Sequence, residues 1–76
     1  MSRFMRKVEI FKTSVCTFTE AEKLVRFLLL KFPHYKINFD LDDCDRILRI
    51  ETMRNDIDKN QISNLLKNKG YECFNL

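Results

Sequence analysis

Between Ala21 and Phe32 the apolar residues keep a helical beat. Ala21, Leu24, Val25, Leu28, Leu29 and Phe32 fall at i, i+3, i+4, i+7, i+8 and i+11, which lines one face of a helix. Two capping boxes offer a start, Thr17 with Glu20 and Thr19 with Glu22, each pairing a hydroxyl with a carboxylate three residues on. Pro33 ends the helix, because the residue before a proline is pushed out of helical geometry. The beat then changes. Tyr35, Ile37, Phe39 and Leu41 alternate with Lys36, Asn38 and Asp40, the period-two signature of a half-buried strand.

Upstream, Val8, Ile10 and Phe11 with Val15 predict a strand of about six to nine residues with apolar side chains on both faces, as in a central strand. Downstream, the polar run Asp42-Asp43-Cys44-Asp45 predicts a turn, and Ile47, Leu48 and Ile50 a returning strand with Leu48 and Ile50 in the core. Asp58 with Gln61 starts a second helix, Ile57 can staple against Ile62, and Ile62, Leu65 and Leu66 form its buried stripe. Gly70 stands where a helix C-terminal glycine belongs, and Tyr71 to Leu76 predicts a last strand. The order β-α-β-β-α-β predicts an α+β ferredoxin-like sandwich, a four-stranded antiparallel sheet with two helices on one face. In that topology Cys16, Cys44 and Cys73 lie at or toward one end, and His34 at the other.

Length and composition bound what this fold can be. Seventy-six residues, with one Pro and one Gly, give a single domain over residues 1–76 without a linker. A chain this short buries only about 60 % of its unfolded surface, so its stability is modest. No apolar run approaches the roughly 20 residues of a membrane span, and Met1 to Lys7 has charge but no apolar core behind it, which argues against a secretory signal. Three cysteines, an odd number, fit a reducing cytoplasm better than a disulfide framework. The net charge of +3 is mild and the charges are interspersed, a pattern of solvated faces rather than of a polyanion track.

At this level the chain resembles the heavy-metal-associated domain of copper chaperones and metal-transporting ATPases. The resemblance rests on Phe11 to Leu28, on Phe32-Pro33, on Tyr35 to Leu41 and on Gly70-Tyr71-Glu72-Cys73. It spans residues 6 to 76 and is nearest to small single-domain bacterial versions, through Asp43 to Glu51. That family holds a soft ion such as Cu(I) between the two thiolates of Met-x-Cys-x-x-Cys in the first turn. Here the two positions fall at Thr17 and Glu20, with Cys16 just before the first. The thiol pair is missing, no metal-binding residue carries over, and the resemblance implies a fold and an ancestry rather than a metal carrier.

The remaining candidates weaken on inspection. Cys16 beside a helix N-terminus could carry a lowered pKa and bind a soft metal, but an isolated cysteine is more often a small residue anchoring a turn. Cys44 and Cys73 form no sequence-local ligand motif with it. Asp40, Asp42, Asp43 and Asp45 lack the glycine and the downstream bidentate Glu of a Ca²⁺ loop. His34, the sole histidine, has no catalytic partner at a recognisable spacing and reads as a partly exposed capping residue at the helix exit. RNA-recognition motifs share the topology and stack bases on aromatics in strands one and three, yet Arg46 to Glu51 holds no aromatic. Met1, Met5 and Met53 make no metal box, and Met5 reads as strand-end packing.

These residues predict a cytoplasmic, non-catalytic interaction or regulatory module with no cofactor, no metal site, no nucleic acid and no membrane. Its partner is an unidentified protein or a second copy of the chain, docked on the exposed sheet face or an edge strand. The first alternative is soft-metal (Cu(I) or Zn) binding or trafficking through Cys16 with another thiol, in the same chain or across a dimer. A second is small-ligand sensing at a dimer interface, although the chain has no glycine-rich loop for it.

Overall fold

The computed structural model describes residues 6–42, 46–53 and 56–76. Along the chain run β1 (Lys7–Thr13), α1 (Phe18–Lys31), β2 (Lys36–Asp40), β3 (Ile47–Thr52), α2 (Lys59–Asn68) and β4 (Cys73–Asn75). The strands form one antiparallel sheet in the order β2-β3-β1-β4, the α+β ferredoxin-like layout with both helices on one face. β1 and β3 are therefore the inner strands, joined over six residue pairs from Lys7 opposite Thr52 to Lys12 opposite Ile47.

Each element begins and ends where local chemistry places it. Of the two capping boxes only one is used for α1. Thr17 is the N-cap and its hydroxyl accepts from the Glu20 N–H at 3.1 Å, while Thr19 lies inside the helix. At the other end Phe32 is the C-cap, its N–H donating to the Leu28 carbonyl at 2.7 Å. His34, in the turn that follows Pro33, is exposed and caps nothing; Phe32 takes the role expected of it. Asp58 caps α2 through the Gln61 N–H at 3.0 Å, and Ile57 and Ile62 both enter the core. Gly70 has φ +94°, a left-handed conformation that a Cβ disfavours.

Burial follows the two periods. Phe11 and Thr13 of β1, Ile37 of β2, Leu48 and Ile50 of β3 and Cys73 of β4 face the helices. Ala21, Leu24 and Leu28 of α1 and Ile62 and Leu66 of α2 meet them. Val15 lies beyond β1, yet it is fully buried beneath the turn into α1. Leu29 stays exposed, so the helix buries a narrower stripe than its apolar spacing suggests. The strands are also shorter than their apolar runs. Tyr35 and Leu41 pack against the core from just outside β2, and β4 keeps only three residues of the Tyr71–Leu76 run. Cys44, Asp43, Asp45 and Met5 lie outside the described residues.

Candidate functional site

The turn from β1 into α1 is held from two sides. Both the N–H and the hydroxyl of Thr13 donate to the Arg46 carbonyl, at 3.1 and 2.8 Å, and the same hydroxyl accepts from the Val15 N–H at 3.2 Å. Ser14 is bonded twice to Glu72, donating its N–H to the carbonyl at 3.2 Å and accepting the Glu72 N–H on its hydroxyl at 2.8 Å. This fixes the start of β4 against the turn and brings Tyr71 over the first turn of α1. There the Tyr71 hydroxyl donates to Glu20 Oε2 at 2.9 Å while Thr17 donates to Glu20 Oε1 at 3.0 Å.

Thr17 and Glu20 are thus bonded to each other. The two residues close into a capping box, and Tyr71 occupies the other carboxylate oxygen. The electrostatics agree. The Tyr71 hydrogen bond, then that of Thr17 and the N–H groups of Cys16 and Thr17, hold the Glu20 carboxyl below its ordinary value of 4.5. The reciprocal bond to Glu20, with burial and the neighbouring negative charges, pushes the Tyr71 phenol above 10.0.

The thiols sit in contrasting surroundings. Cys16 is exposed and its Sγ donates to the Ser14 carbonyl at 3.3 Å. Cys73, opposite Thr13 on β4, is only 1 % exposed. Burial pushes its thiol upward, against the opposing pull of a hydrogen bond with Ser63 and the charge of Lys67. Topology brings Cys16 and Cys73 to one end of the sheet, as the chain order implies, but one thiol faces solvent and the other the core. No group of three His, Cys, Asp or Glu side chains able to hold a metal occurs among the described residues. His34 lies at the opposite end, on a cleft of ≈ 640 Å³ shared with Arg6, Lys36, Glu51, Thr52 and Met53.

No family model, curated protein or solved structure matches this chain.

Among the described residues the sheet face turned away from the helices is open. Its positions alternate with the buried ones: Lys36, Asn38 and Asp40 on β2, Ile47, Arg49 and Glu51 on β3, Val8, Ile10 and Lys12 on β1, and Phe74 on β4. Val8 is 38 % exposed and Phe74 54 %, and Leu76, tied to the Ile10 carbonyl through its N–H, is 67 % exposed. Ile10 and Ile47 are half-buried. The apolar residues lie on β1, β3 and β4 and are interspersed with charges, since Glu51 is opposite Val8, Arg49 opposite Ile10, and Lys12 opposite both Ile47 and Phe74. No helix of the described chain is long and apolar enough to cross a membrane.

Sequence reasoning located the turn but missed Tyr71 as its closing residue. Tyr71 and Glu20 are 51 positions apart, and no local spacing signals such a pair. The two-sided apolar pattern of β1 did carry a usable signal. Val8 and Ile10 belong to an inner strand, yet no helix among the described residues packs on their face of the sheet.

Proposed function

We propose that this chain is a non-catalytic interaction module that works in the cytoplasm and binds a protein partner through its open sheet face and sheet edge. On this reading it is a degenerate relative of the heavy-metal-associated domains, in which Thr17 and Glu20 cap a helix instead of contributing thiolates. The observation that carries the reading is the open sheet face, where Val8, Phe74 and Leu76 are exposed and Ile10 and Ile47 half-buried among Lys12, Arg49 and Glu51. Apolar side chains gathered on one exposed face and bordered by polar ones are a mark of interaction sites. Ile10→Glu places a charge at its centre without touching the buried side of the sheet. A partner held by the wild type in affinity capture and released by Ile10→Glu, with the variant's circular dichroism unchanged, supports the module. Equal capture by both proteins, or none by either, counts against this face.

Soft-metal handling is the second reading, motivated by the exposed Cys16 thiol at the foot of α1. Native mass spectrometry of the reduced protein with one equivalent of Cu(I) separates the two. The interaction module predicts no stoichiometric adduct. An adduct formed by the wild type and lost in Cys16→Ser would replace it with a metal site.

A further inference from the structure

Among the described residues β2 is an edge of the sheet, hydrogen-bonded on one side only, to β3. An edge strand directs half of its backbone N–H and C=O groups outward, a template for another strand, and natural proteins commonly guard it with charge. The five residues of β2, Lys36-Ile37-Asn38-Phe39-Asp40, carry such charges in a particular arrangement. The strand begins with a cation and ends with an anion, has two apolar residues between, and is symmetric about Asn38. An antiparallel copy centred on Asn38 sets Lys36 opposite Asp40, Ile37 opposite Phe39 and Asn38 opposite Asn38. Four of the five cross-strand pairs in that register are of a favourable type, opposite charges together and apolar residues together, and the fifth sets the neutral Asn38 opposite itself.

The surface beside the strand fits the same symmetry. A groove of ≈ 320 Å³ runs between α1 and β2, lined by Phe18, Ala21, Val25, Ile37 and Phe39 with Glu22 and Arg26 at its rim. Phe18 is 71 % exposed although it is the first residue of the helix. The two-fold axis that reverses β2 also reverses the order of Glu22 and Arg26 along α1. The other edge, β4, has only three residues and no comparable charge order.

We propose that β2 is the self-association edge of this protein: two copies pair antiparallel through Lys36–Asp40, joining their sheets into one of eight strands. The contact is isologous, so each favourable pair occurs twice and the assembly closes at two copies. Two chains can satisfy the outward backbone groups of both edges, while Phe18 and Phe39 of each copy lose water beside the junction. This inference rests on the interaction-module reading and names its partner and surface.

Charge exchange tests it. Lys36→Asp alone puts Asp opposite Asp twice in a dimer, whereas Lys36→Asp with Asp40→Lys restores opposite charges in every pair. Sedimentation equilibrium should find a concentration-dependent dimer for the wild type, weakening by about tenfold or more for Lys36→Asp and recovery in the double variant. Asn38→Cys in a Cys16→Ser background should oxidise to a covalent dimer, because directly opposed residues of an antiparallel pair approach closely, while Asn60→Cys on exposed α2 should not. A wild type that stays monomeric at every concentration overturns the proposal. So does a dimer indifferent to the charge exchange. If that dimer is abolished by Ile10→Glu, the copies meet through the open face, and the interaction module stands while the edge assignment fails.

Discussion

Glu20 accepts hydrogen bonds from the Thr17 and Tyr71 hydroxyls at the head of α1, and the nearby N–H groups of Cys16 and Thr17 add to the lowering of its pKa. A carboxylate so placed satisfies helix donors that would otherwise face water, and its charge lies at the favourable end of the helix dipole. The largest influence on its ionisation is Tyr71, a residue of another element. Tyr71→Phe should therefore raise the Glu20 pKa toward its ordinary value, measured by the pH dependence of the Glu20 side-chain carbonyl resonance. An unchanged titration would show that the capping box alone holds the carboxylate. The box itself is legible in Thr17-x-x-Glu20, because it is local. Its closure by Tyr71 is not, because only the fold brings β4 beside α1.

At the scale of elements, punctuation was the most legible feature. Asp58, Gly70 and Pro33 act through the backbone of their immediate neighbours, so their effect travels with the sequence. Gly70 makes the sharpest case. At φ +94° a Cβ would meet nothing within 4 Å, so the cost of adding one lies in the backbone conformation alone. Gly70→Ala should destabilise the protein by about 1–2 kcal/mol in chemical denaturation, with no change in the near-ultraviolet spectrum of the native state. A loss near zero would mean that the turn relaxes out of the left-handed region. Strand length was less legible than strand identity. Tyr35, Leu41 and Tyr71 continue the apolar patterns of β2 and β4 but lie outside those strands, because a strand ends where its neighbour no longer supplies hydrogen-bond partners. The symmetric charge order of β2 was present in the sequence, but it acquires meaning only once β2 is known to be an edge.

At the scale of the whole molecule, four groups among the described residues have shifted pKa values that make stability respond to pH. Glu20 is held below 4.5, chiefly by Tyr71, and Asp56 below 3.8, chiefly by its hydrogen bond and charge contact with Lys7. Both are groups with depressed folded-state pKa values. Their contribution is fully present above those ordinary values and is lost as the pH falls through the lower folded ones. Cys73 is raised above 9.0, chiefly by burial, and Tyr71 above 10.0, chiefly by its bond to Glu20. Their contribution is present below those values and is lost as the pH rises through the higher folded ones. The unfolding free energy should be nearly flat from about pH 5.5 to 8 and fall on both sides. In Cys73→Ala the alkaline fall should become shallower. An alkaline limb of unchanged steepness in that variant would remove Cys73 from this account.

The sequence by itself determined the elements, their order and, Leu29 apart, the residues that face the core. Those properties depend on periodicity, on caps and on the conformational limits of proline and glycine, all of which act over a few neighbouring residues. Together they lead to a ferredoxin-like sheet with two helices. The tertiary structure decided which surfaces stay open. It left Val8, Ile10 and Phe74 uncovered, made β2 an edge with a groove beside it, separated the Cys73 thiol from solvent while exposing that of Cys16, and set Tyr71 on Glu20. Each of these outcomes depends on which distant segment packs where, a property of the assembled fold that no stretch of the chain encodes alone.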